Sequence, residues 1–384
     1  MHAVVQQLVD QAREETGLVD LGDERCLEGL DVYVQTLDQC CPDETGKSRL
    51  LKIQYKKLIS RLKIFEAIRK HPEILDEKII APLFVTGLPR SGTSALLNVL
   101  AKDPDARPLA QWELRHPEPY PGLKPGESDP RYLAVVEKMA ALEGSEFRKI
   151  HYADADTPEE CVMLHQLSFD GVQTGFEIMF EPYHSWFLNR DLHWMYEEYR
   201  LFLKVLQWQR PGKRWVLKAP AHMWAIDVIL DLFPDASFVW GHRDPVGVTS
   251  SISSMNQQVM RMYMGDTSHL DQSAVAKTVM DFYAQSLERG LAQRRLHNEK
   301  HFMDYNHKEF IHQPLRLIER VFDRFDFNMR EDQRVAFSDH IQNHPQHKHG
   351  KHEYTLDDFG LTESMIRDRF SFYSFKDNYS REAL

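Results

Sequence analysis

The stretch Ile79 to Lys102 reads IIAPLFVTGLPRSGTSALLNVLAK, and it decides the fold. Ile79 to Thr86 is a short apolar run that ends at Gly87, and Gly92 to Lys102 reads as a helix. The turn between them is Gly87-Leu88-Pro89-Arg90-Ser91-Gly92-Thr93-Ser94. A strand that feeds a glycine-bearing turn and then a helix is an anion site, because converging backbone N–H groups meet the positive end of the helix dipole. Gly87 and Gly92 allow close approach, while Ser91, Thr93 and Ser94 bring hydroxyls. Arg90 adds a fixed charge with bidentate reach. The spacing nearly matches the triphosphate loop G-x-x-x-x-G-K-[ST], but Thr93 stands where that loop carries its lysine. A donor smaller than a triphosphate can be served by Arg90 instead. Taken alone, the loop also fits a strand-to-helix turn that binds nothing.

Moving outward, Arg214 to Ala219 is a second strand candidate, followed by a helix over 221–233. Ser237 to His242 is a third, followed by a helix that opens at Asp244-Pro245. Strands alternating with helices predict an α/β fold with a central parallel sheet, right-handed crossovers and flanking helices. The chain divides into a helical N-terminal segment (1–78), an α/β core (79–312) with a mostly helical insertion (103–212), and a helical C-terminal segment (313–384). All of it is expected to form one domain. In the first segment Leu51, Tyr55, Leu58, Leu62, Phe65 and Ile68 recur at helical spacing and predict one apolar stripe.

A second anion site is predicted after the third strand. Arg243 ends the strand, Asp244 is placed to cap the next helix, and Pro245 suits its first position. Ser251 lies eight residues beyond Arg243 and shares a helical face with Gly247. Helical side chains lean toward the N-terminus, so the Ser251 hydroxyl overlies Gly247, which leaves room for a ligand group. Arg243 and Ser251 are thus able to grip one phosphate from two sides. The competing reading is a structural Arg243–Asp244 pair.

Composition sets the outer bounds. The chain has 384 residues, 42% hydrophobic and 11% aromatic, with a formal net charge of -11. That charge excludes nucleic-acid binding by bulk electrostatics, so an anionic ligand must meet a local basic cluster. No apolar stretch approaches the roughly 18 residues of a membrane span, and the N-terminus lacks a secretory signal pattern. Cys26, Cys40, Cys41 and Cys161 show no zinc-ligand spacing and read as free thiols in a reducing cytoplasm.

The two anion motifs, in this order, resemble the sulfotransferases that use 3′-phosphoadenosine 5′-phosphosulfate (PAPS) as donor. GLPRSGTSALL is similar to that family's 5′-phosphosulfate loop, and HRDPVGVTSS to its 3′-phosphate segment. TGLVDLGDE, DPDARPLAQWE, TPEECVMLH, RWVLKAPAHMW and YTLDDFGL resemble the bacterial-type branch, so the likeness covers most of the chain. It implies a single α/β domain related to P-loop proteins. Arg90, Ser91, Gly92, Thr93 and Ser94 are then expected at the 5′ end of the donor, and Arg243 and Ser251 at the 3′-phosphate. A late basic loop with Lys348, Gly350 and Lys351 is expected to close over that phosphate.

Sulfuryl transfer needs an acceptor attacking sulfur in line, a base for its proton, and cations facing the leaving phosphate. The moving group carries less charge than a phosphoryl group, so no metal is required, unlike phosphoryl transfer. Arg90 and Lys218 are the candidate cations, Lys218 standing at the end of its strand where α/β sites gather; it also reads as the partner of an acidic neighbour. The resemblance implies a base that is either a histidine after the strand-end lysine, here His222, or a glutamate after the first helix, here Glu113. His116 and His165 stand behind them. The acceptor is expected to be a small molecule (a phenol, sterol, lipid, sugar or amine), with no nucleic-acid partner. Rival readings are a P-loop kinase or ATPase, and a non-catalytic nucleotide-binding protein of the same fold. His344, His347, His349 and His352 read as a solvated loop, and Phe370, Phe372, Tyr373 and Phe375 as helix packing. Trp186, Phe187, Trp194 and Trp208 read as core, with an apolar acceptor pocket as the alternative.

Overall fold

The computed structural model describes residues 1–41, 43–123, 127–141, 154–171, 180–343 and 355–374. Its centre is a five-stranded, all-parallel sheet in the order β2-β3-β1-β4-β5. The strands are β1 (Leu83–Gly87), β2 (Ala106–Pro108), β3 (Arg214–Lys218), β4 (Ser237–His242) and β5 (Phe302–Asn306). Every residue of β1 is buried, as expected for a parallel strand covered by helices on both faces. From β1 the chain crosses toward β2 at one edge, and from β4 toward β5 at the other. The connections therefore part between β1 and β4, and a crevice opens at the carboxyl ends of those neighbouring strands.

Three of these strands lie where the periodicity placed them, and two do not. β2 falls inside the stretch expected to be helical; three residues containing Arg107 and Pro108 carry no readable alternation. β5 was also not anticipated. β1 starts at Leu83 rather than Ile79, because Ala81 takes a positive φ of 43° and Ile80 is left exposed. The helix expected over 221–233 opens as a 3-10 turn, Pro220–Ala225, before the α-helix Ile226–Leu232.

The N-terminal segment forms helices Ala3–Thr16, Cys26–Cys40 and Glu44–Lys70. In the third, Leu50, Gln54, Leu58, Arg61 and Leu62 are buried, whereas Leu51, Tyr55, Phe65 and Ile68 are only half-buried. Arg61 turns the face. Its guanidinium meets both oxygens of Glu198 (2.8 and 2.5 Å) and donates to the carbonyl oxygens of Leu21, Asp23 and Leu167. All five of its N–H donors are thereby used, which is how a fully buried arginine is tolerated. One continuous buried apolar cluster runs from Val5 to Tyr373 and includes one side of the sheet; a second, around Leu96, Val239 and Val321, covers the other.

Candidate active site

The loop expected to hold phosphate, Gly87 to Ser94, takes its shape from two glycines and an arginine in a left-handed backbone. Gly87 (φ 121°) pairs with Gly241 across β1 and β4, and a Cβ added to Gly87 would stand 2.2 Å from the Gly241 carbonyl oxygen. No other residue fits at that crossing. Gly92 (φ 91°) is the N-cap of the helix Thr93–Leu100, and a Cβ there would press on His307 at 3.3 Å and Phe310 at 3.2 Å. Arg90 holds φ 64°, a left-handed backbone that is uncommon for a non-glycine residue. No side chain caps this helix, so the N–H groups of its first turn remain directed at the crevice.

The two predicted anion sites meet through Arg90. Its Nε donates to Ser251 Oγ (3.1 Å), and Arg243 Nη1 donates to the Arg90 carbonyl oxygen (2.6 Å). Asp244 caps the helix Pro245–Met264 through Val246 N (3.0 Å). A Cβ built on Gly247 would lie 3.9 Å from the Arg243 guanidinium, so that group spreads over the gap the glycine leaves. Residues from the loop after β1 and the helix after β4 thus converge on one spot. Ser91 is different: its hydroxyl is buried and donates to Leu88 O (2.6 Å), bracing the loop from within. Thr93 is also buried, whereas Ser94 is exposed.

His307, directly after β5, completes this wall. Burial first, and then the charges of Arg243 and Arg90, hold its pKa down to about 4. It was missed in the sequence because the strand that delivers it was not recognised.

At the end of β3, Lys218 is 2% exposed and forms an ion pair with Glu160, whose carboxylate is 34% exposed. Lys218 stands opposite Val85, two residues before the phosphate loop begins. Nothing in the linear sequence ties Glu160 to Lys218; only folding brings them together.

Glu113 and His222 both have close partners in the structure. Arg107 grips both Glu113 oxygens (2.8 and 2.5 Å), Arg210 reaches one at 3.2 Å, and Ala110 N donates to it at 3.1 Å. His222 is fully buried, with Nδ1 against Tyr196 Oη (2.9 Å) and Nε2 against Cys161 Sγ (3.0 Å). Burial, with smaller effects of His165 and Lys218, pushes its pKa well below the ordinary histidine value. His165 is buried among Tyr196, Tyr199 and His222, and both of its ring nitrogens lack hydrogen-bond partners. His116 lies beside Glu118 at 3.7 Å.

The other expectations resolve unevenly. Phe187 and Trp194 are buried in the large cluster, with Trp186 and Trp208 packed against it. Tyr373 does more than pack: its hydroxyl meets His242 Nδ1 at 2.7 Å, fastening the C-terminal segment to the end of β4. Lys348, Gly350, Lys351, the four late histidines and Phe375 lie outside the described residues. Among the described residues no group of three or more His, Cys, Asp or Glu could hold a metal ion, and no helix is long and apolar enough to cross a membrane.

The profile of the sulfotransferase family matches residues 82–331, which contain the phosphate loop, the Arg243–Ser251 segment and all five strands. The chain belongs to the sulfotransferase family. Two solved structures are similar to this sulfotransferase over nearly their whole length. STF9 of Mycobacterium avium superposes with a TM-score of 0.87 at 28% identity, covering 96% of this chain and 95% of that one. STF1 of Mycobacterium tuberculosis H37Rv gives 0.85 at 27%, covering 96% and 98%. The omega-hydroxy-beta-dihydromenaquinone-9 sulfotransferase Stf3, from Mycobacterium bovis and Mycobacterium tuberculosis, is 23% identical over 310 residues, 77% of each chain.

Proposed function

We propose that this sulfotransferase uses PAPS as donor and passes its sulfuryl group to a hydroxyl or amine of a small-molecule acceptor. The observation that carries the reading is the junction of Arg90, Arg243 and Ser251, one basic spot assembled from the loop after β1 and the helix after β4. A nucleotide with anionic groups at both 3′ and 5′ positions needs two adjacent grips. The helix start at Gly92-Thr93-Ser94 and Arg90 suit the 5′-phosphosulfate, with Ser91 bracing the loop; Arg243 and Ser251 suit the 3′-phosphate. The acceptor atom attacks sulfur, the bond from sulfur to the bridging oxygen breaks, and Arg90 and Lys218 offset the charge on the leaving phosphate. The enclosure of Glu113 by two arginines and of His222 in the core supports positioning roles for both. The name of the Stf3 relatives supports a lipid-borne hydroxyl as the first acceptor class to try. Four buried free thiols support the cytoplasm as the working compartment, and the cluster joining Val5 to Tyr373 supports one functional unit over 1–384.

The test is thermal unfolding with 3′-phosphoadenosine 5′-phosphate (PAP) or with ATP-Mg²⁺. PAP is expected to raise the midpoint and ATP-Mg²⁺ to leave it in place. Stabilisation by ATP-Mg²⁺ alone would favour the P-loop kinase reading. Binding of PAP without transfer from labelled PAPS to any of a panel of phenols, sterols, lipids, sugars and amines would favour a non-catalytic protein.

A further inference from the structure

The Lys218–Glu160 pair has an uneven geometry. The ammonium is buried at the end of β3, beside the phosphate loop, while the carboxylate opens toward solvent. Glu160 is fixed by its backbone rather than by its side chain. Gln111 N donates to Thr157 O (3.0 Å), Glu159 N to Leu109 O (2.9 Å), and Cys161 Sγ to Lys218 O (3.3 Å). The segment 157–161 is therefore tied to the ends of β2 and β3 whether or not Glu160 is paired. Its carboxylate stays at the site if Lys218 lets go. Tyr283, from the helix Gln272–Arg294, lies close enough to Glu160 to feel its charge. Glu113 offers no such freedom, since four donors from three residues close over it.

We propose that this pair is a donor-operated latch: Lys218 exchanges Glu160 for the donor's 5′-phosphosulfate, and the released Glu160 carboxylate accepts the acceptor's proton. The inference rests on the donor reading above. A lysine suits the exchange, because its ammonium is a point charge on a flexible stem and can swap one anion for another. The acceptor oxygen or nitrogen forms its bond to sulfur and its proton moves to Glu160. The electrons of the broken S–O bond remain on the 5′-phosphate oxygen of PAP, which Lys218 then faces. When PAP leaves, Lys218 returns to Glu160, whose proton has passed to solvent. Without donor the base is occupied, so acceptor is not activated unproductively.

The experiment needs no known acceptor. PAP affinity is measured for wild type, Glu160→Gln, Lys218→Ala and the double variant. If Glu160 competes with the nucleotide for Lys218, Glu160→Gln tightens PAP binding by about three- to tenfold, and this gain vanishes in the Lys218→Ala background. Unchanged or weaker PAP binding in Glu160→Gln, or a gain that persists without Lys218, overturns the latch. Should Glu160→Gln fail to fold, Glu160→Asp retracts the carboxylate and is expected to act in the same direction. A wild-type protein that does not bind PAP at all defeats the donor reading instead, so the two failures are distinct. The base role is read from labelled PAPS with water as acceptor, where Glu160→Gln is expected to release sulfate about a hundredfold more slowly despite binding tighter. Equal rates in the two proteins, including equally undetectable ones, remove it.

Discussion

Two sets of arginines divide the labour in this molecule. Arg61 and Arg107 are buried, each in bidentate contact with a glutamate and with several carbonyl oxygens. Arg90 and Arg243 sit at the crevice, where they hold neutral oxygens, the Ser251 hydroxyl and the Arg90 carbonyl. The first set spends its charge on a carboxylate and locks segments distant in sequence. In those bonds the second set meets neutral oxygens, which a phosphate can replace at little cost. Under the proposed donor reading, residue type does not separate a structural arginine from a ligand-binding one. The charge of its partner does.

The sharpest way to break the contrast is at Arg61. Arg61→Met leaves Glu198 buried without its counter-ion, and an unfolding free-energy loss of about 3–5 kcal/mol is expected in denaturant titrations. A smaller loss, below about 1 kcal/mol, would place this pair with ordinary surface bridges. Arg90→Ala should do the reverse: PAP affinity falls by roughly tenfold to a hundredfold, as for a charge-assisted contact, while the unfolding midpoint of the free protein barely moves. Calorimetric titration alongside a melting curve checks both halves.

Acid titration probes both regions, through one histidine in the core and one in the crevice wall. His165 is held at about 3 by burial alone, and His307 at about 4. Both lie below the unfolded reference of about 6.5, so the unfolded chain takes up protons first as pH falls. Stability is therefore full above about pH 6.5 and declines below it, until the folded-state values are reached. His165→Phe should flatten the slope by about 1.4 kcal/mol per pH unit, and should remove two unpartnered nitrogens as well. Urea midpoints at pH 7 and pH 5 decide this, and parallel curves for the two proteins would contradict it. The smallest effect belongs to Ser251→Ala, with a cost to PAP binding of about 0.5–1.5 kcal/mol and none to stability.

Legibility in the sequence followed the range of the interaction. Three of the strands, the loop Gly87 to Ser94 and the cap at Asp244-Pro245 are local patterns of apolar runs, glycines and capping residues, and they lie where those patterns placed them. β2 and β5 were hidden: one is three residues long, and the other, FMDYN, breaks its short apolar run with Asp304. The stripe of the third helix was read one step off because Arg61, a residue usually exposed, faces inward.

Sequence by itself determined that a strand, a glycine turn and a helix start would follow one another around Gly87 to Ser94, and that a capped helix would open after β4. Those conclusions needed only neighbours along the chain. Tertiary structure decided which charges remain available there. It drew Arg107 and Arg210 onto Glu113, sank His222 into the core, and brought Glu160 from 58 residues away to Lys218. Partner choice depends on which side chains converge in space and on how much water is left between them, and neither quantity is written in the spacing of residues.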